Sequence, residues 1–372
     1  MSPTRPGLFF LSDQLELPPR DGYHVHVLAL IRAVSPLVPT RGFCWMAASP
    51  PPPASLVALD AAAAPRGRLA RKSYYVARAF ETIDREAAPG SVAWLRSYST
   101  ALVALPGLRR RRRAGLRSLY DASSIERLEV PAAANRLVAF LRSLVVERLW
   151  RQFDLVRTLN EPMRDYLVER GVPAERIIVI PVGAEPQTER WHLRDAPRRV
   201  LYVGSAMPWQ GLPTLLGAMR ILERRSPEIR LSLAGPATAN LAGLPLPANV
   251  IGLGHVPHAE IARLYLEHDL FVLPRPRSPL TETVLPMKIL EAMAFGMPIL
   301  ARDLGAVRSV TGPDAAFLYR DDGPEGLAAA IEAALADPGA LAATGARALE
   351  RSARFNWDEI GRAIVRELFG GG

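Results

Sequence analysis

The sequence predicts an α/β protein of two doubly wound domains, each a parallel sheet covered by helices on both faces. Three observations carry that prediction. At 372 residues the chain is too long for one small core, since a domain takes roughly 100–200 residues. Short, near-continuous apolar runs of strand length alternate with longer helical patterns, as in a sheet buried on both sides. The order then restarts near Arg198, after the polar stretch AEPQTERWHLRDAPR (Ala184–Arg198), which reads as a linker.

In the first half, GLFFLSD (Gly7–Asp13) is a buried strand and HVHVLALIRAVSPL (His24–Leu37) a helix. SVAWLRS (Ser91–Ser97) is a further strand, and DLVRTLN (Asp154–Asn160) and IIVIPVG (Ile177–Gly183) flank the helix EPMRDYLVERG. Each strand is a short apolar run bounded by Gly, Pro or polar residues. SPPPPASL (Ser49–Leu56) is a proline-rich loop. In the second half the strands are RRVLYVGS (Arg198–Ser205), IRLSLAGP, NVIGLGHV, DLFVLPRP and MPILARD. The helices between and after them are GLPTLLGAMRILERRSP, HAEIARLYLEH, KILEAMAFG and GPEGLAAAIEAALADP.

A hydrophobic content of 49% with 22% charged residues excludes a largely disordered chain. The net charge of +9 favours an anionic partner. Of 46 basic residues only Lys72 and Lys288 are lysines, so part of the arginine excess reflects coding bias. Cys44 stands alone, which excludes an intrachain disulfide or a cysteine zinc site and fits a reducing compartment. There is no long apolar run of ~18 residues for a spanning helix, and the apolar run at the N-terminus is too short for a signal peptide. The location expected is the cytoplasm, with the inner membrane face as the second possibility. P-loop, G-x-S-x-G, H-E-x-x-H and Asp-x-Asp motifs do not occur, so no metal is demanded.

Ligands of open α/β sheets bind beyond the carboxyl ends of the strands. Four such ends stand out: VGSAMPWQG (Val203–Gly211), LAGP (Leu233–Pro236), the long loop LPRPRSPLTETVLP (Leu273–Pro286), and the helix start PMKILEAMAFG. A lone Gly-rich turn is by itself an ordinary strand-to-helix connection. Pro286 is expected in the first helical turn, where its missing N–H costs nothing. The free amides of Met287 and Lys288 would then make an anion site. Lys288 and Glu291 share a helix face. A surface ion pair is the common fate of such residues, but the apolar surroundings suit a carboxylate that binds ribose hydroxyls. His24 and His26 follow the first strand, where core or surface histidines are the commoner case. The run Arg109–Arg113 is a solvated face or a contact for anionic lipid.

From Val200 to Trp357 the chain resembles the family 4 glycosyltransferases of the GT-B fold, which are retaining enzymes using nucleotide sugars. VLYVGSAMPWQGLPTLLGAM resembles the first strand and helix of their C-terminal domain, and HAEIARLYLEHDLFVLP the segment before the donor loop. PMKILEAMAFGMP matches the pattern P-x-K-x-x-E-x-x-A-x-G-x-P, and RFNWDEI (Arg354–Ile360) resembles the terminal helix that returns to the first domain. DGYHVHVLAL and EPMRDYLVERGVPAERIIVIPVGAE extend the likeness more thinly into the first half.

The resemblance implies two Rossmann-like domains facing a central cleft. Residues 1–188, joined by the helix 353–372, form the acceptor side, and residues 189–352 the donor side. It implies that Glu291 binds the donor ribose. Leu285, Met287 and Lys288 would meet the diphosphate and sugar, with Thr283 and Val284 beside them. Gly204 and Gly22 would lie near the phosphates. The chain departs from the family where Ser205 and Gln210 replace its phosphate-binding Arg and Lys. Thr283 replaces the first glutamate of its Glu-x7-Glu pair, and Ser123 an acceptor-side histidine. Glu282, one place off, and Asp121, with Glu126 nearby, are the carboxylates left for catalysis beside Lys288. Arg275 or Arg277 would share the diphosphate charge. The activity implied is transfer of a sugar, with retention, to a saccharide, lipid-linked or small-molecule acceptor. No cofactor, metal or nucleic acid is implied. A non-catalytic GT-B binding protein and a nucleotide-sugar epimerase are the alternatives.

Overall fold

The computed structural model describes residues 5–17, 22–46, 53–125, 144–235 and 246–370. The chain divides into two compact units, Met1–Gly183 with Trp357–Gly372, and Ala184–Asn356. The division falls at residue 184 rather than 189 because the expected linker is tied down. Ala184 N–H donates to Phe355 O at 2.7 Å, and Trp191 N–H to Phe295 O at 2.8 Å. The buried Trp191 indole donates to His268 O at 2.8 Å. Ala184–Arg198 is therefore part of the second unit.

Unit 1 holds a seven-stranded sheet in the order β3-β2-β1-β4-β5-β6-β7. The strands are β1 (Leu8–Leu17), β2 (Thr40–Met46), β3 (Leu56–Asp60), β4 (Val92–Leu95), β5 (Arg117–Asp121), β6 (Leu155–Thr158) and β7 (Ile177–Val179). Every strand pairing among the described residues of this sheet is parallel, with Leu8 opposite both Thr40 and Val92. Helices α1 (Gly22–Val34), α2 (Arg68–Glu86), α3 (Tyr98–Arg111), α4 (residues 144–150) and α5 (Glu161–Glu169) connect them. The first strand was expected to end at Asp13. Instead its register breaks after Leu11 and resumes at Glu16 opposite Trp45, so residues 12–15 bulge. Helix α1 stops at Val34, short of the expected Leu37, because Pro36 disfavours helical backbone at Ser35.

Unit 2 holds a six-stranded sheet in the order β10-β9-β8-β11-β12-β13. These are β8 (Arg199–Val203), β9 (Arg230–Ala234), β10 (Val250–Gly254), β11 (Leu270–Leu273), β12 (Ile299–Arg302) and β13 (Phe317–Tyr319). Helices α6 (Leu212–Arg225), α7 (His258–Glu267), α8 (Pro279–Thr283), α9 (Met287–Phe295), α10 (Gly305–Thr311), α11 (Pro324–Ala336) and α12 (Pro338–Ser352) cover it. The central strands are apolar throughout: all of β11 and β12 is buried. The last helix, α13 (Trp357–Phe369), returns to pack on α1 in unit 1. Gly361 permits that contact, since a Cβ there would meet Ala33 O at 2.6 Å.

In both sheets the strand order reverses direction once, between β1 and β4 and between β8 and β11. Such switch points open a crevice beyond the carboxyl ends of the two strands. The loops after β8 and β11, and those after β1 and β4, are the places to look for chemistry.

Candidate active site

At the unit 2 switch point the loop after β8 is pressed against the end of β11. Gly211 adopts φ 74°, and a Cβ there would lie 1.8 Å from Pro274 O. Only glycine allows both the left-handed backbone and that approach. Gly204 N–H donates to Ala234 O at 3.0 Å, and a Cβ on Gly235 would meet Gly204 O at 2.5 Å. The Tyr202 hydroxyl donates to Ser205 O at 2.7 Å. Gln210 ends the short 3-10 turn Pro208–Gln210 that leads into α6.

Arg275 joins this loop to the next. It is 3% exposed, and its Nη1 donates to Val284 O at 2.7 Å. Burial raises the Tyr202 hydroxyl above its ordinary pKa while the Arg275 charge opposes that rise, which puts the guanidinium near the β8 loop. Arg277, the other cation considered, is engaged elsewhere. It pairs with Glu282 and donates to Asp303 O at 2.5 Å.

The stretch read as a long loop contains α8. Ser278 and Thr281 form a capping box, with the Thr281 amide donating to Ser278 Oγ at 3.2 Å. Thr283 turns its hydroxyl to Pro279 O at 2.8 Å, and Leu285 is buried. Pro286 stands at the N-cap of α9 with extended backbone, one place before the first helical turn expected for it. No side chain caps α9, so the amides of Met287 and Lys288 at its first turn are left without an intrahelical acceptor. Lys288 Nζ donates to both carboxylate oxygens of Glu291 at 2.9 Å. Tyr265, buried on α7, donates to Glu291 Oε2 at 3.4 Å. Burial first, and then the Glu291 charge and hydrogen bond, hold the Tyr265 hydroxyl protonated well above its ordinary pKa.

Met287, Lys288 and Glu291 on α9 thus follow the Val284 loop, which Arg275 ties toward the loop after β8 that holds Gly204, Ser205 and Gln210, all beyond the carboxyl ends of one sheet's strands. Glu282, expected as a catalytic carboxylate, is engaged structurally. One oxygen takes Arg277 and the other accepts from Gly305 N–H, the first residue of α10, at 2.6 Å. A carboxylate at a helix amino end is favourable for backbone reasons alone.

In unit 1 Asp121, expected as a catalytic carboxylate, stands in an ion pair at the end of β5. Its side chain is fully buried. It takes Arg157 Nη1 at 3.3 and 3.2 Å and the Trp94 indole N–H at 3.2 Å. Arg157 in turn donates to Ile180 O at 2.9 Å and Pro181 O at 2.7 Å. The pair knits β5, β6 and the end of β7 together, and a buried ion pair needs such extra bonds to offset its desolvation. Glu126 lies outside the described residues. Gly22 opens α1 at unit 1's first strand-to-helix turn.

The unit 1 switch point holds a cluster the sequence reading missed. In the β1 bulge, Asp13 is gripped by Lys72 from α2 and by Thr100 Oγ1 from α3. Three residues before Thr100, Ser97 at the N-cap of α3 has φ 122°, the one non-glycine residue with positive φ among those described. Such strain gathers at sites. The signal was Lys72 itself, the other of two lysines in an arginine-rich chain.

The arginine run ends α3. Arg111 pairs with Asp84 and lies 4.0 Å from the Phe80 ring centroid. Arg112 pairs with Asp154 at 2.5 Å and Arg109 with Gln152. Arg110 and Arg113 stay exposed. Among the described residues no three His, Cys, Asp or Glu side chains gather to hold a metal.

The chain belongs to the family 4-like glycosyltransferases of the GT-B fold. The model of the glycosyl transferase 4-like domain matches residues 13–183, and that of glycosyl transferases group 1 matches residues 197–337. Amylovoran biosynthesis glycosyltransferase AmsK of Erwinia amylovora is 30% identical over 42% of this chain and 41% of its own length. Phosphatidyl-myo-inositol mannosyltransferase of Mycolicibacterium smegmatis is 31% identical over 45% and 44%. The chain thus spans less than half the length of these two relatives. The structure of Anabaena Alr3699/HepE in complex with UDP-glucose has a TM-score of 0.70 at 19% identity, over 98% of this chain and 99% of that one. That likeness is one of fold.

Proposed function

We propose that the protein transfers a sugar from a nucleotide diphosphate-sugar, bound at the carboxyl edge of the unit 2 sheet, to a hydroxylated acceptor. The observation that carries the reading is the uncapped start of α9, with the Lys288–Glu291 pair on its first turns and Arg275 beside it. Free amides, a helix dipole and two cations suit a departing diphosphate. Glu291, braced by Tyr265, accepts hydrogen bonds from the ribose hydroxyls, and Lys288 turns from Glu291 to the phosphates when donor binds. Arg275 takes over charge that Ser205 and Gln210 cannot carry. Configuration at the sugar is retained, as the family resemblance implies, and no metal is needed.

The acceptor reading moves from Asp121 to Asp13, whose carboxylate at the unit 1 switch point is oriented by Lys72 and Thr100. The names of the relatives favour a polysaccharide precursor or a lipid-linked acceptor. Membrane contact rests on Arg110 and Arg113 alone, since the rest of the run is engaged within the unit.

Screening the protein against UDP- and GDP-sugars for thermal stabilisation and donor hydrolysis tests the reading. Stabilisation with turnover in the presence of a metal chelator is the expected result. Binding without turnover assigns a binding protein instead, and no response to any nucleotide sugar sinks the donor site.

A further inference from the structure

The opposite edge of the unit 2 sheet carries a cavity of about 530 Å³ that the transfer reading does not use. Arg194, Arg198, Arg199 and Arg230 line it, together with Ser232 and His268. Arg199 and Arg230 are the first residues of β8 and β9 and are register partners on parallel neighbouring strands. Neighbouring strands lie about 4.8 Å apart, and partners in register point to the same face. Like charges set side by side in this way are destabilising.

Three carboxylates, Glu228, Glu267 and Asp269, share the lining, and each is paired with an arginine other than Arg199 and Arg230. Asp269, 1% exposed, accepts from Arg194 Nη1 and from the backbone amides of Arg198 and Arg199, each at 2.8 Å. Glu228 pairs with Arg198 at 3.2 Å. Glu267 also lines the cavity, and its carboxylate pairs at 2.5 Å with Arg263, which does not. Arg199 makes one long bond, 3.4 Å, to the backbone carbonyl of Glu267. Arg230 forms no ion pair among the described residues. Asp269 thus fixes the wall it belongs to, and two guanidiniums face the cavity with most of their N–H groups unspent among the described residues.

We propose that this cavity binds a phosphate dianion between Arg199 and Arg230. Two adjacent planar forks match the geometry of a phosphate group, and the volume suits a small phosphorylated molecule. The site lies at the amino ends of β8 and β9, whereas the proposed donor site lies at the carboxyl end of the same sheet. The inference stands independently of the transfer reading.

The test is titration of the full chain with sodium phosphate at constant ionic strength, with sodium chloride as the balancing salt, read by calorimetry and by melting temperature. Wild type and Lys288→Ala are expected to bind phosphate and to be stabilised by it. The double variant Arg199→Gln with Arg230→Gln is expected to lose at least tenfold in phosphate affinity. Without phosphate, Arg230→Gln alone is expected to melt no lower than wild type, because it relieves the like-charge contact. Glucose 6-phosphate in place of phosphate reads the source: tighter binding that the double variant loses assigns a phosphorylated small molecule, and equal binding assigns free phosphate. Wild type indifferent to phosphate overturns the proposal. So does a response that survives the double variant or vanishes in Lys288→Ala. A lower melting temperature of Arg230→Gln in phosphate-free buffer would return the arginines to a structural role.

Discussion

Lys288 and Glu291 form a half-buried ion pair that can be read as a structural contact or as a site at rest. The two readings separate by substitution. An exposed helix pair contributes about 0.3–0.5 kcal/mol, so neither reading expects Lys288→Ala to unfold the chain. The donor reading expects it to lower turnover clearly, and an unaltered rate in a coupled assay would leave only the ion pair. Glu282 is the converse case. Its two oxygens join Arg277 to the start of α10, so Glu282→Ala is expected to destabilise by about 1–3 kcal/mol. A denaturation curve matching wild type, with catalysis lost, would restore Glu282 to chemistry. At this scale the pattern P-x-K-x-x-E was legible, because spacing on one helix fixes which side chains meet. The engagement of Glu282 was not, because Gly305 reaches it from a distant part of the chain. The burial of Asp121 was likewise invisible, since Arg157 and Trp94 come from other strands.

Among the elements, α13 is the most informative junction. Its Gly361 lies against the backbone of Ala33 in α1. Gly361→Val forces the helices apart and is expected to cost about 1–3 kcal/mol of stability, read as a lower melting temperature. An unchanged melting temperature would show that α13 does not depend on that contact. The central strands were legible, because continuous apolar runs of strand length have few other uses, and so were α1, α5, α6, α7, α9 and α11, whereas α2, α3, α10 and α12 were not read. Strands β2, β3, β5 and β13 were not read. TRGFCWM carries Arg41 and Gly42 inside it, and β13 has three residues. Helix α8 was hidden for a chemical reason. Its capping box uses Thr281 where Glu or Gln is the usual sign. The supposed linker Ala184–Arg198 looked free because its polar composition masks one buried tryptophan.

For the whole molecule, acid sensitivity follows from two groups in unit 2. Burial holds the His268 imidazole below its ordinary pKa; the Leu264 carbonyl, Asp269 and Glu267 pull the other way, and Arg199 adds to the lowering. The unfolded chain takes up that proton first. Stability from this group is therefore full above about pH 6.5 and is lost as pH falls below that value toward the folded pKa. Asp303, hydrogen-bonded by Arg308 and Arg320, sits at about 2, below its usual 3.8. Its contribution is present above the usual value and is lost as pH falls through the folded one. Melting temperature is thus expected to decline from neutral pH to pH 5.5, less steeply in His268→Gln. Equal slopes in the two proteins would discard the histidine account.

The central claim is that Glu291 holds the ribose of a nucleotide sugar at the edge of unit 2. Two hydrogen bonds to a charged carboxylate are each worth about 1.5–3 kcal/mol. Calorimetry of the best-bound nucleotide diphosphate-sugar against wild type and Glu291→Ala tests it most directly. The account predicts affinity lowered by about a hundredfold or more, with the melting temperature of the ligand-free protein nearly unchanged. Equal affinity in the two folded proteins would contradict it.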